Sequence, residues 1–292
     1  MTKGTIIKGI GGFYYVDTGD SIIECKARGH FRNKKLSPCV GDLVDISVDK
    51  DNIGSIEKIY ERRNYFIRPP VSNINEMIIV ASICNPAPDL TFIDKMLVIA
   101  QANNVDVKIC FNKLDLDDGS IKAIADIYIN AGYEVYITST LEDVGINAIR
   151  NSISGKIVAF SGFSGVGKSS LLNAVVAKEC MQTGEVSNRL QRGKHTTRHV
   201  ELISFNGGYI VDTPGFSMLD FPDSISKEDL ADYFPEFDDY SDGCKFRNCN
   251  HMGNSSVCAV CKAVGEGSIS SDRFNNYKSF YNILSQRKEW EK

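Results

Sequence analysis

Lys156-Ile-Val-Ala-Phe-Ser-Gly162-Phe163-Ser164-Gly165-Val166-Gly167-Lys168-Ser169-Ser170-Leu-Leu-Asn173 decides the fold. The apolar run KIVAF has strand character, and SSLLNAVV carries apolar spacing suited to a helix. The order is strand, glycine-rich loop, helix. Gly162, Gly165 and Gly167 leave no side chain between backbone and polyphosphate, so successive N–H groups can turn inward and donate to phosphate oxygens. The positive end of the helix that begins near Lys168 adds to the same place. Lys168 supplies a point charge for the outer phosphates, and the hydroxyl of Ser169, followed by Ser170, stands where Mg²⁺ is ligated. The stretch from Gly162 through Phe163, Ser164, Gly165, Val166 and Gly167 to Ser170 is therefore read as a nucleoside triphosphate loop.

Outward from that loop, strand-like and helix-like segments alternate, which predicts a parallel sheet covered by helices. EMIIVASI and DVKICF read as strands, PDLTFIDKMLVIAQANN as a helix, and a second helix is expected near 119–131 before the strand YEVYITST. DVKICF ends in Asn112-Lys113-Leu114-Asp115. Asn and Asp after a strand are also common turn residues, but beside a phosphate loop they gain meaning. This NKxD resembles the guanine-reading motif of the translation-factor class of GTPases. The resemblance implies that the Asp115 carboxylate accepts from the N1 and exocyclic amino groups of the base and rejects adenine, which lacks that donor pair. Ser139, within Thr138-Ser139-Thr140, matches the position of the loop that packs on the base in such proteins.

Beyond the phosphate loop, HVELISF and GYIVDTPG read as a hairpin ending in Asp212-Thr213-Pro214-Gly215. This DxxG resembles the Mg²⁺- and γ-phosphate-sensing switch of the same class, with Asp212 holding Mg²⁺ through water and the Gly215 N–H meeting the γ-phosphate. Between them the segment 183–198 is polar, basic and aperiodic, and is read as a loop in which Thr196 or Thr197 completes the Mg²⁺ shell. GTPases of that class run phosphate loop, DxxG, NKxD, whereas here NKxD comes first. A circular permutation of the chain accounts for that order.

Residues 1 to about 70 carry TIIKGI, FYYVD, SIIEC, LVDISV and IGSIEKI, with turn signals at Gly11-Gly12, Gly19-Asp20 and Gly41-Asp42. Five short strands in that span suggest a small closed barrel of the oligonucleotide-binding (OB) type. Lys26, Arg28, His30, Phe31, Arg32, Lys34 and Lys35 crowd one loop, read equally as a nucleic-acid contact or as a solvated charged loop. Arg62-Arg63 and Arg68-Pro69-Pro70 mark a linker.

At the other end, Ser226-Lys-Glu-Asp229 reads as a helix start that DLADYFPEF continues. Four of the nine cysteines lie between 244 and 261, and in a reducing compartment such clustering suggests metal before disulfides. Cys244, Cys249, His251 and Cys258 give three thiolates and one imidazole, a closed shell for one structural Zn²⁺, with Cys261 as the alternative for the last place. Lys245, Phe246 and Arg247 in that knuckle read equally as RNA contacts or as a solvated loop. Phe274, Tyr277, Phe280, Tyr281 and Leu284 fall at the spacing of a packed helix.

The net charge of −4 argues against a wholesale polyanion binder and confines nucleic-acid contact to local patches. No apolar run approaches the roughly eighteen residues of a membrane span, and no secretory h-region opens the chain, so a cytoplasmic protein without membrane contact is expected.

Taken together, the basic barrel, NKLD, GFSGVGKS and DTPG in permuted order, RGKHTTR and CxxxxCxH followed by Cys resemble the RsgA family of small-subunit biogenesis GTPases over nearly the whole chain. The fold expected is multidomain α/β: an OB-type β-barrel over 1–68, a circularly permuted P-loop GTPase domain over 69–222 and a C-terminal α-helical zinc-binding domain over 223–292. The resemblance implies a GTP hydrolase, cycling between GTP and GDP with Mg²⁺. It also implies that the protein binds the small (30S) ribosomal subunit through 16S rRNA, with assembly factors as further contacts, and acts late in maturation with hydrolysis stimulated by the subunit. One departure from the family pattern is the six residues between His251 and Cys258, one more than usual. A GTP-gated rRNA-binding module in which hydrolysis is incidental is the alternative. The position after DxxG, where Ras-like GTPases carry a water-orienting Gln, is Phe216, so slow intrinsic turnover is expected. His195 is assigned the water-positioning role, against the equal alternative of a solvated or RNA-touching side chain. With its own flanking domains the chain needs no partner copy to complete a core, and a monomer is expected.

Overall fold

The computed structural model describes residues 1–29, 31, 37–49, 53–183, 200–212, 216 and 220–287. By internal contacts the chain divides into two units, the first made of residues 1–78, 146–161 and 169–218, the second of 79–145, 162–168 and 219–292.

In the first unit, β1 (Thr2–Ile10), β2 (Phe13–Asp17), β3 (Ile22–Ala27), β4 (Leu43–Val48) and β5 (Gly54–Ile59) build the barrel. The pairings run β1–β2–β3–β5–β4 and return to β1, so the sheet closes on itself, with β3–β5 the one parallel step among them. Alternation sends Ile6, Val16, Cys25, Val44, Ile46 and Ile56 inward, where Phe31 joins them in one apolar core. Where β1 runs past β4, Lys8 pairs instead with Glu201 of β12 (Glu201–Phe205). β12 turns through Asn206-Gly207 into β13 (Gly208–Asp212), the hairpin expected from the sequence, and β13 runs parallel to β11 (Ile157–Ser161), the strand that enters the phosphate loop. The stretch marked as a linker is not bare chain: β6 (Tyr65–Ile67) and β7 (Pro70–Ser72) form a small hairpin.

In the second unit, β8 (Glu76–Ser82), β9 (Asp106–Asn112) and β10 (Glu134–Thr138) lie side by side, with β9 and β10 parallel. The connecting helices are α1 (Leu90–Ala102), whose N-terminus Asp89 caps by accepting from the Phe92 N–H, and α2 (Ile121–Asn130). Back in the first unit, α3 (Ile146–Ser152) precedes β11, and α4 (Lys168–Thr183), whose first residue alone belongs to the second, follows the loop in the chain. The helix expected from Ser226 onward is absent: residues 230–233 and 235–237 form two 3₁₀ turns instead, followed by the single-turn α5 (Asp238–Ser241). Pro235 accounts for the break, since it has no N–H to continue a helical ladder and restricts Phe234 before it. α6 (Ala259–Gly265) and α7 (Ser271–Ser285) complete the chain, with Phe274, Tyr277, Phe280 and Leu284 of α7 buried. Among the described residues no helix is long and apolar enough to cross a membrane.

Candidate functional site: a phosphate loop beside a base-reading strand end

The loop Gly162–Lys168 and the ends of β9 and β10 meet in the second unit. Asn112, at the last position of β9, is buried. Its Nδ2 donates to the Val166 carbonyl at 3.1 Å and its Oδ1 accepts from Thr138 Oγ1 at 3.0 Å. One side chain thus ties the phosphate loop to two neighbouring strands. Gly167, at φ 87°, sits against that amide: a Cβ there would lie 2.3 Å from Asn112 Nδ2. Gly162 is as constrained, since its Cβ would meet the Val80 carbonyl at 2.3 Å. Phe163, half-exposed on the loop, rests on Phe92 of α1 with ring centroids 4.3 Å apart.

Lys113 adopts left-handed backbone at φ 69° and its ammonium donates to the Asn85 carbonyl. That turn lets Leu114–Leu116 coil into one 3₁₀ turn and brings Asp115 to face β10's end. Ser139, fully buried, donates through Oγ to Asp115 Oδ1 at 2.5 Å while accepting from the Glu142 N–H at 3.1 Å. One carboxylate oxygen is thereby fixed. Lys168 folds its ammonium back onto the Gly162 carbonyl at 2.8 Å, and burial lowers its pKa from the ordinary lysine value. A polyphosphate would offer anionic oxygens in place of that single carbonyl.

Asn112, Lys113, Leu114, Asp115, Ser139 and Gly162–Lys168 are therefore brought together. Ser169 and Ser170 occupy the exposed first turn of α4. Asp212 ends β13 in the first unit. His195, Thr196, Thr197 and Gly215 lie outside the described residues, as do His30, Arg32, Lys34 and Lys35. In the first unit Phe216 is buried, edge-on to Phe66, and its carbonyl accepts from Ser161 Oγ at 2.8 Å. Sequence reading missed the Thr138 and Phe92 contacts. The register Thr138↔Asn112 was open to inference from two adjacent parallel strands; the Phe92–Phe163 contact had no local signal.

A second cluster lies near the C-terminus. One ligand atom from each of Cys244, Cys249, His251 and Cys258 falls within 4.8 Å of the others, with His251 Nδ1 3.4 Å from Cys258 Sγ. Cys261 is not among them: its thiol points to the carbonyls of His251 and Gly253, and only its N–H reaches the Cys258 sulfur, at 3.4 Å. The Ala259 N–H approaches Cys244 Sγ at the same distance, 3.4 Å. Backbone donors aimed at sulfur stabilise thiolates, and burial lowers the His251 pKa, favouring the neutral imidazole. Donor set and spacing fit tetrahedral Zn²⁺ with no open position.

Strand, phosphate loop and helix, with NKxD ahead of the loop in the chain, define a circularly permuted P-loop GTPase. The chain belongs to the RsgA GTPase family: the RsgA GTPase model matches residues 59–222 and the RsgA N-terminal domain model residues 3–56. It is 47% identical to a small ribosomal subunit biogenesis GTPase RsgA of Clostridium botulinum (strain Hall), over 98% of this chain and 99% of that one. Identity to the protein of the same name from Alkaliphilus metalliredigens is 43%, over 99% of this chain and 100% of that one. Among solved structures it is similar to YloQ, described as a circularly permuted GTPase, at 37% identity and a TM-score of 0.83 over 99% of this chain and 96% of that one. YjeQ from Thermotoga maritima superimposes with a TM-score of 0.85 at 33% identity, over 98% and 99% of the two chains. Like its family, the chain is a GTP hydrolase.

Proposed function

We propose that this GTPase works on the small ribosomal subunit as a late maturation checkpoint, with hydrolysis stimulated by the subunit and coupled to release. The observation that carries this reading is the full-length identity of 43% and 47% to GTPases named for small-subunit biogenesis. Within that reading Asp115, held by Ser139, accepts the two guanine donors, and adenine leaves it unpaired. Backbone N–H groups of Gly162–Lys168 cradle the phosphates and Lys168 bridges the outer two. Ser169, Asp212 and one of Thr196 and Thr197 hold Mg²⁺, which neutralises charge on the phosphates when bound. The Gly215 N–H senses the γ-phosphate.

Phe216, buried on Phe66, has no group to orient water. Intrinsic turnover is therefore slow, and His195 positions the attacking water once the subunit is engaged. The barrel over 1–68 contacts 16S rRNA, the GTPase domain spans 69–222, and Cys244, Cys249, His251 and Cys258 bind one zinc that rigidifies 223–292. The protein acts as a cytoplasmic monomer.

Hydrolysis of GTP and ATP by the purified chain, with and without small ribosomal subunits, tests the reading. Strong stimulation confined to GTP and lost in His195→Ala is expected. Equal slow turnover with and without subunits would sink the checkpoint and leave a GTP-gated binding module.

A further inference from the structure

Within the second unit the phosphate loop is supported from strands and from a helix. Gly162 lies against the Val80 carbonyl of β8, and the Val166 carbonyl and Gly167 lie against Asn112 of β9. The limb between those two supports rests on α1 instead, where the Phe163 and Phe92 rings are inclined by 40° to one another. Beside that pair Val80, Pro86, Pro88 and Val166 line a cavity of about 400 Å³. A limb bordered by open space has less to hold it than one set in a filled core, so the Phe92 ring carries more of its support.

Phe92 is itself held from the C-terminal segment. Its N–H donates to Asp89 Oδ1 at 2.9 Å, which fixes it in the first turn of α1. Asn276 of α7 binds that turn on both sides of Phe92 in the chain. Its Oδ1 accepts from Thr91 Oγ1 at 2.9 Å, and its Nδ2 donates to Asp94 Oδ2 at 2.6 Å. Arg273, three residues earlier on α7, takes the other Asp94 oxygen through Nη1 at 2.6 Å. Asp94 is fully buried, so these bonds have no ready replacement from water.

We propose that Phe92 is a positioning residue for the phosphate loop and that Asn276, on the C-terminal helix, holds it in place. The proposal rests on the reading of Gly162–Lys168 as the phosphate cradle. A backbone donor contributes fully only when it is aimed before the ligand arrives, and the aim of the limb after Gly162 follows the seat of the Phe163 ring. Asp115, the base reader in the same reading, is held by Ser139 beyond the end of β10. Loss of the Phe92 contact therefore weakens the hold on the outer phosphates and spares the nucleoside end. The C-terminal segment thereby enters nucleotide affinity, and by reciprocity a bound nucleotide steadies α7.

Competition of GDP and of GMP against fluorescent GDP, on the full chain, tests this. The ratio of the two affinities reads the hold on the outer phosphate. In Lys168→Ala that ratio should collapse; if it keeps the wild-type value, the phosphate-loop reading falls and the proposal with it. With that reading intact, Phe92→Ala should lower GDP affinity by about fivefold or more and leave GMP affinity unchanged, whereas general loosening of the fold would weaken both alike. Phe92→Leu, a milder change for folding, should show a smaller loss of the same kind. Asn276→Ala should also lower GDP affinity alone, and in the Phe92→Ala background it should remove nothing further. Equal losses for GDP and GMP in the two Phe92 variants, or no loss for either, overturn the role of Phe92. An Asn276→Ala variant that binds GDP normally, or whose loss persists undiminished beside Phe92→Ala, overturns that of Asn276.

Discussion

Arg273 on α7 places Nη1 2.6 Å from Asp94 Oδ1 on α1, with both residues almost fully buried. The rest of the guanidinium is taken by Glu236, whose Oε2 accepts from Nη2 at 2.9 Å, and Asn276 Nδ2 donates to the other Asp94 oxygen at 2.6 Å. The C-terminal helix is therefore bound to the GTPase helix by charge as well as by apolar contact. Arg273→Ala would strand two carboxylates inside the protein. Losing one partner of a buried pair costs about 3–5 kcal/mol, so the urea midpoint of that variant should fall by an amount matching this figure. An unchanged midpoint would show that the pair is solvated in solution.

The same pair gives a pH signature. Burial pushes the Asp94 carboxyl up to about 6, against the pull of Arg273 and Asn276. An acid whose folded pKa stands above its unfolded value of 3.8 subtracts stability as pH rises, because the unfolded chain releases its proton first. The unfolding free energy of the wild type minus that of Asp94→Asn should accordingly decline from pH 4 to about 6 and then level. A flat difference would mean that Asp94 is ionised throughout.

For the cysteine cluster, the purified chain should carry one zinc. Cys258→Ser should abolish it and Cys261→Ser should leave it, because only the former thiol points into the cluster. Metal content by atomic emission and chelator-dependent thermal unfolding give the answer. Zinc retained in Cys258→Ser and lost in Cys261→Ser would exchange the two assignments.

Base selection rests on one carboxylate. Asp115→Asn replaces an acceptor by an amide that can donate, so GTP affinity should fall by about a hundredfold or more while xanthosine triphosphate, which offers an acceptor in place of the amino group, should gain. Ser139→Ala should weaken GTP binding less, since it frees Asp115 without changing its chemistry. Competition titrations with the two nucleotides separate these outcomes.

Alternation along each strand made the barrel legible: the runs TIIKGI, FYYVD, SIIEC, LVDISV and IGSIEKI fall within or overlap β1 to β5. The phosphate loop and NKxD were legible because their chemistry fixes residue type and spacing locally. Other features depend on contacts across long chain separations and leave no local pattern. Asp42 accepts from Arg62, 20 positions away, and from Ser72, 30 positions away. Arg273 finds Asp94 across 179 positions. Between Cys258 and Cys261 the spacing rule allowed either thiol, and the capping geometry of α6 favours Cys258, which accepts from the Cys261 N–H and lies in the cluster. Pro235 was in plain view, and weighing it would have ended the helix drawn through 226–237.

Lys8 pairs with Glu201 across 193 positions of chain. During synthesis at roughly 5–20 residues per second, on the order of 10–40 s pass between the appearance of the two. All five barrel strands emerge within the first 59 residues, so the barrel can close long before β12 exists. Through that interval the far end of β1 is an open strand edge on a nascent chain. A lysine there discourages a neighbouring polypeptide from adding on. Once β12 arrives, the same ammonium meets Glu201 at 3.2 Å, so the residue that guards the growing protein becomes a fastening of the finished one.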